Sequence, residues 1–241
     1  MHYTTSSGPA SRPVRLAPGG SDEVETVMDA GPMRPVPRRM AMFPLSAVVF
    51  PHSQIPLHIF EPRYRELTAD CLAGDSCFGT VLIARGSEVG GGDQRLDVGT
   101  RALITQAQEL PDGRWVLLVR GEARIRVAEW LGDDPYPLGM VEDWPSPTAL
   151  GAESLLQEVI LSVRRTRGLL SETQKSPALP AEVTFDGDVD TACWHLCAQA
   201  PLSAYDAQQV LTAEGVVERL ELLRRLTGEV EQDLHRMLAE G

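Results

Sequence analysis

Between residues 42 and 143 the apolar positions come in short runs, at 47–50, 55–60, 78–84, 102–104, 115–119 and 125–127, separated by Pro, Gly and Asp. Runs of this length bounded by turn formers predict β-strands. Asp112-Gly113, set between apolar stretches, predicts a hairpin turn because both residues accept a positive φ at low cost. One helix interrupts the strands. Pro62 suits a first helical position, and Tyr64, Leu67, Thr68, Cys71 and Leu72 follow at i, i+3, i+4, i+7 and i+8 to give one buried face. Gly74 stands where a helix-ending glycine would. Several strands, a single helix and no strand-helix-strand alternation predict a small, partly closed antiparallel barrel.

Pro145 and Pro147 mark 144–150 as a hinge, after which the apolar period changes to 3.6. Leu155, Leu156, Val159, Ile160 and Val163 predict a helix over about 152–170. A polar loop follows to about 187, then a second helix over 189–200. Ser203 with Asp206 three residues on resembles a capping box and opens a short helix ending near Thr212. Val217, Leu220, Leu223, Val230, Leu234 and Met237 mark a long last helix, with Gly228 as a point of bending. Residues 1–39, crowded with Pro, Gly, Ser and Thr, show neither period and predict a disordered tail. Arg34, Arg38 and Arg39 read as its solvated basic leader, and Met28, Met33, Met40 and Met42 are alternative translation starts to Met1. The expected class is α+β: a tail at 1–39, a β-rich pseudo-barrel with one inserted helix at 40–143, and a helical bundle at 144–241.

Charge and cysteine use narrow the function classes. The 34 acidic against 22 basic residues, a net charge of −12, disfavour attraction to nucleic-acid phosphates. No stretch approaches the roughly 20 apolar residues that cross a bilayer, and no apolar leader follows the first residues, so no membrane partner is expected. Cys71, Cys77, Cys193 and Cys197 are too few for a disulfide framework, which fits reduced thiols and a cytoplasmic location.

The stretch from Phe43 to Leu67 carries paired Pro-Leu dipeptides, Pro44-Leu45 and Pro56-Leu57, around Val49-Phe50-Pro51, and then Ile59-Phe60-Glu61-Pro62-Arg63-Tyr64. In this it resembles the N-terminal, substrate-binding domain of the Lon protease family. Phe78-Gly79, Val98-Gly99-Thr100, Asp112-Gly113, Gly121 with Arg124, and Tyr136 with Gly139 stand in that family's order, and the segments 200–211 and 219–223 resemble the helices that follow. The resemblance implies a PUA-like pseudo-barrel followed by helices, and a role in recognising protein substrates. Ser46 departs from the Arg that usually follows the first Pro-Leu in full-length Lon. The longer Phe-Glu-Pro-Arg-Tyr form is similar to free-standing bacterial members and to the Lon-like domain of cereblon, although no Cys-x-x-Cys pair for the zinc-binding domain of cereblon occurs.

Neither half of Lon's catalytic machinery is legible. A phosphate-cradling G-x-x-x-x-G-K-[ST] loop does not occur, and Gly90-Gly-Gly-Asp93, with no Lys or Thr, reads as a loop tip. A Ser-Lys peptidase dyad has only Lys175, the sole lysine, beside Ser171 and Ser176 in a polar loop, whereas a lysine acting as base needs a desolvated pocket. Cys193 and Cys197, at i and i+4 around His195, supply two ligands where a metal site needs three or four, and read as buried structural thiols. No enzyme activity, cofactor or metal is expected.

The expected function is therefore a non-catalytic module that binds polypeptide, an unfolded chain or client protein, with a separate protease as a further partner. The candidate contacts are Pro51, His52, Ile55, Phe60 and Arg63, in a corner where three prolines at 44, 51 and 56 keep strands short and an edge strand can accept a peptide. Glu61 beside Pro62 is placed to favour the helix N-terminus and to pair with Arg63. His52 and His58 either line a groove or sit on the surface. The alternative is a PUA-like barrel binding RNA or a small ligand, for which Arg101, Arg120, Arg124 and Arg126 would line a groove rather than form a solvated strand face. The solvated face is the expectation.

Overall fold

In a computed structural model of the protein, the described residues are 36–86, 92, 94–147, 151–174 and 188–240. The tail up to residue 35, the glycines at 90–91 and Lys175 lie outside them. The elements run β1 (Arg38–Leu45), β2 (Gln54–Ile59), α1 (Pro62–Ala73), β3 (Cys77–Arg85), β4 (Gln94–Glu109), β5 (Trp115–Trp130), β6 (Leu138–Asp143), α2 (Glu153–Gln174), α3 (Val189–Gln199), α4 (Ala204–Thr212) and α5 (Val216–Glu240).

The six strands form one sheet in the order β2-β5-β4-β3-β1-β6, and β6 pairs with β5 as well as β1. The circuit β5-β4-β3-β1-β6 is thus closed, and β2 hangs on β5 outside it. The sheet is mixed, where an antiparallel one is expected from sequence. β1 pairs parallel with β3, Met42 opposite Gly79 and Leu45 opposite Leu82. A parallel pair needs a crossover, and β2 with α1 supplies it. β5 divides its free edge: residues 115–120 pair with β2 and 125–130 with β6. The two runs predicted at 115–119 and 125–127 are therefore one 16-residue strand.

Two further differences concern the corner. The predicted strand at 47–50 is an irregular connection that begins in a bend, and the first strand lies upstream, starting inside the supposed leader. Arg38 is held there by a bidentate pair with Asp143 at 2.8 and 3.1 Å, and Arg38 to Ala41 pair with β6. Gly74 closes α1 with φ −110°, so its left-handed freedom is unused; Ser76 takes the positive φ, 59°, and its N–H joins that of Gly74 on Cys71 O. Farther on, Ser203 caps α4 as its spacing to Asp206 predicts, its Oγ accepting from Asp206 N at 3.1 Å. The structure adds a cap for α3, where Asp188 accepts from Thr191 N at 2.8 Å.

Phe43, Tyr64, Phe78, Leu117 and Val119 pack on one side of the sheet, and Met42, Val81, Ile125 and Val141 form a smaller cluster. The helices bury Val159, Val163, Leu196, Leu211, Leu220 and Leu223, and Phe50 joins them from the β1–β2 connection, its ring 6.1 Å from that of Trp194. Sheet and helices are then clasped by charge. Arg124 of β5, only 3 % exposed, donates to Leu211 O at 3.0 Å, Ala213 O at 2.6 Å, Glu214 O at 3.1 Å and Ser146 Oγ at 3.1 Å. These carbonyls end α4, where the helix leaves acceptors without intrahelical donors. Arg219 of α5, fully buried, donates to the same Ser146 Oγ at 2.8 Å and to Asp190 Oδ1 at 2.9 Å, with its guanidinium 3.4 Å from the Trp194 ring centroid. Burial, and then the charge of Arg219, pull the Arg124 guanidinium down to about 10, so it is still protonated at neutral pH.

Two substitutions test these contacts. Arg124→Met leaves three carbonyls without their donor and is expected to cost about 2–4 kcal/mol in urea unfolding. Arg124→Lys is expected to recover less than half, because an ammonium cannot reproduce the fork. In the corner, a Cβ on Gly121 would collide with Phe50 O, so Gly121→Ala is expected to destabilise by about 1–3 kcal/mol in the same measurement.

Candidate binding site at the open edge of β2

Gly121 N–H donates to Ser53 O at 2.9 Å, just ahead of the Gln54↔Arg120 register. Antiparallel alternation then turns the backbone groups of Ile55, Leu57 and Ile59 toward β5 and those of Gln54, Pro56 and His58 outward. Pro56 thus sits where its missing N–H breaks no ladder bond. No described strand covers this outer edge.

Two cavities border β2. The first, of about 230 Å³, lies toward the ends of β1 and β2 and the start of α1, with Phe43, Leu45, Pro56, Ile59, Phe60 and Tyr64 among its walls. Two of its walls are tilted rings in contact, Phe43 at 4.2 Å from Tyr64, and Phe43 is backed by the Phe78 ring at 5.9 Å. Phe60 stands on the rim, 53 % exposed. The second, of about 270 Å³, lies between the start of β2 and the α3–α4 corner, walled by Val48, Phe50, Ile55, Ala200, Leu202 and Ala204 among others. The connection after β1 runs from one to the other, Leu45 bordering the first and Ala47 the second.

The five candidate contacts divide among these features. Phe60 borders the first cavity and Ile55, half-buried, the second. Pro51 is buried in the turn, and with the exposed His52 it borders a third cavity, of about 230 Å³, beside Arg124, Trp144 and Trp194. His52 carries a positive φ of 61°, and its ring meets that of His195 edge-on at 5.9 Å. Arg63 borders none of the three. Its Nε donates to Glu61 Oε2 at 3.1 Å and its guanidinium lies 4.4 Å from the Tyr64 ring centroid, bracing the first turn of α1 beneath Phe60. The helical wall of the second cavity has no counterpart among the candidates. Its Ala and Leu residues read in sequence as ordinary helix-packing positions, and only the fold brings them to β2.

The four arginines do not assemble into a groove, nor does Arg124 lie on a solvated face. Arg124 is interior, Arg101 and Arg120 share Glu122 at 3.3 and 3.5 Å, and Arg126 is exposed with its guanidinium 4.2 Å from the Trp144 ring centroid. Alternation along β5 does put Arg124 and Arg126 on one side, but Trp144 and the end of α4 cover the first of them. Burial pushes the Cys71 thiol up to about 12. Cys193 and Cys197 are buried in α3; a hydrogen bond from Cys197 and the nearby Arg219 hold Cys193 low, while burial raises Cys197. Among the described residues no group of three or more His, Cys, Asp or Glu is placed to hold a metal ion, and no helix is long and apolar enough to cross a membrane.

Residues 39–227 match the family described as the ATP-dependent protease La (LON) substrate-binding domain. Lon protease of Vibrio parahaemolyticus is 30% identical over 203 residues, covering 80% of this chain and 24% of that protein. The chain spans about a quarter of the length of the curated relatives it matches. A Lon N-terminal domain protein from Xanthomonas campestris superposes with a TM-score of 0.56 at 27% identity, over 77% of this chain and 96% of that one. The N-terminal domain of Lon protease from the Mycobacterium avium complex, at 18% identity, shares the fold with a TM-score of 0.55, over 79% of this chain and 98% of that one. With the matched region running from β1 into α5, this chain belongs to the LON substrate-binding domain family.

Proposed function

We propose that the protein is a non-catalytic recognition module that captures extended polypeptide at the open edge of β2, for delivery to a separate protease. The observation that carries this reading is an unpaired strand edge bordered by apolar cavities: the edge offers backbone donors and acceptors, and the cavities offer places for side chains. The family's substrate-binding role supports it. The closed circuit of strand pairings, with β2 outside it, supports a PUA-like pseudo-barrel, and the packing of α2 against α5 a bundle beside it. The free thiols support a reducing compartment such as the cytoplasm. RNA binding lacks its groove, since Arg124 is interior, Arg101 and Arg120 are paired with Glu122, and of the four only Arg126 is exposed, against Trp144.

The test is binding of a reduced, carboxymethylated protein, measured by fluorescence anisotropy. Micromolar binding is expected, weakened about tenfold by Phe60→Ser and by Ile55→Ser, each of which removes an apolar wall. Circular dichroism checks that both variants fold. Absence of binding by the unaltered protein, or binding indifferent to both substitutions, would sink the proposal.

A further inference from the structure

We propose that the third cavity, between β5 and α3, is a binding site for a small oxyanion, a carboxylate or a phosphate group, which completes the arginine clasp. The site lies apart from the β2 edge and rests on no assumption about polypeptide capture. Its walls include Arg124, Ser146, Trp144, Trp194 and the exposed His52. Arg124 gives both terminal nitrogens to Leu211 O, Ala213 O, Glu214 O and Ser146 Oγ, yet its buried Nε–H has no acceptor among the described residues. Ser146 Oγ accepts from Arg124 at 3.1 Å and from Arg219 at 2.8 Å. A hydroxyl also carries a proton of its own, and no described group accepts it. Two donors on residues that wall one cavity therefore lack acceptors, and what satisfies them comes from outside the chain.

Charge decides between a water and an anion. A water would accept from both donors but would leave the local charge as it is. Around the cavity the guanidiniums of Arg124, Arg219, Arg101 and Arg120 meet two carboxylates. Asp190 accepts from Arg219 at 2.9 Å and from Trp194 Nε1 at 3.0 Å, and Glu122 is shared by Arg101 and Arg120 at 3.3 and 3.5 Å. Four positive groups against two negative ones leave two positive charges unbalanced, in a chain whose net charge is −12. Arg126 and Glu214, the next charges along, are opposite in sign and both exposed. Like charges held out of water favour a counter-ion. Trp144 and Trp194, with ring centroids 4.3 and 5.5 Å from the Arg124 guanidinium, flank it and leave its Nε edge for a ligand. Room is sufficient: on the order of 10–15 Å³ admits one water, and this cavity has about 230 Å³.

The experiment follows the arginine Nε–H resonances of the full chain by NMR near neutral pH, as sodium chloride is replaced at constant ionic strength by sodium acetate or by sodium phosphate. The Arg124 Nε–H resonance is expected to move downfield and to saturate, with a midpoint on the order of 1 mM. Saturation with acetate alone identifies a carboxylate ligand, with phosphate alone a phosphate group, and with both the shared oxyanion chemistry; each of the three supports the site. Ser146→Asp supplies the carboxylate within the chain, so its melting temperature in the chloride buffer is expected to equal or exceed that of the unaltered protein, and the saturable response to be lost. Without an anion site the same substitution buries a charge with no place for it and lowers the melting temperature. No saturable movement of Arg124 Nε–H with either anion overturns the proposal, as does a response that persists undiminished in Ser146→Asp. The titration of the unaltered chain needs no substitution, so it decides the matter even where Ser146→Asp does not fold.

Discussion

The buried guanidinium of Arg124 is the constraint around which the two parts of the molecule are arranged. A β-strand donates a charged fork to the end of a helix, where Leu211, Ala213 and Glu214 present carbonyls that α4 itself cannot satisfy. Removing such a charge from water is costly, and the cost is offset only if nearly every donor finds an acceptor. Here four hydrogen bonds, with Trp144 and Trp194 as flanking rings, satisfy both terminal nitrogens and leave the buried Nε of Arg124 as the one donor atom without a partner. Arg219 adds a second positive charge nearby, held by Asp190 and by Ser146, which accepts from both arginines. Ser146 follows Trp144 in the connection between β6 and α2, so the clasp gathers four chain segments, β5, this connection, α3 and the α4–α5 corner, into one polar knot. Such a knot tolerates little displacement, because each group lost leaves another buried without a partner.

The prolines of the corner have separate mechanical consequences. β6 covers β1 only over 38–41, so Pro44 falls where the strand has β3 alone as neighbour. Pro51 occupies the turn closed by Ser53 N–H on Phe50 O, and Pro56 lies on the outward register of β2. The three together keep β2 short, unpaired on one side and close to the end of β1. Gly121 makes this possible from the opposite strand: it exchanges hydrogen bonds with His52 and Ser53, and a side chain there would strike Phe50. The open edge is therefore built by the same residues that make the corner, so a change in the corner motif alters the site even where it touches no ligand.

Much of this was legible in the chain and some was not, for identifiable reasons. The face of α1, the cap of α4 and the apolar stripe of α5 are local features, decided by residues three or four apart, and they appear where the pattern places them, except that Leu72, Val217 and Met237, near the helix ends, are exposed. β1 escaped notice because Arg38 and Arg39 look like leader residues until Asp143, over a hundred positions away, is brought beside them. The run at 47–50 is apolar for a different reason from a strand: Val49 packs on the sheet and Phe50 into the helices, so the segment is a buried connection. The parallel β1–β3 pair depends on how β2 and α1 cross over, which no pairwise pattern reports. Arg124 and Arg126 look equivalent along β5, and only the end of α4 distinguishes them.

Polypeptide capture requires that a mobile chain be ordered on the protein, and affinity remains only if the protein itself has little ordering left to lose. The first cavity meets this through tilted aromatic packing: Phe43, Tyr64 and Phe78 are buried, and Arg63 with Glu61 holds the start of α1 against them. The second has no such single-element rigidity, because its walls come from β2 on one side and from the α3–α4 corner on the other. Its width is set by how the helices sit on the sheet. Phe50 against Trp194, Gln208 to Val98 O at 3.0 Å, and the Arg124 bonds to the end of α4 are the contacts that determine that placement. The clasp lies outside the second cavity yet fixes the helix that forms its far wall. Loss of Arg124 should therefore loosen the second cavity in a chain that is still folded, before the first is affected at all.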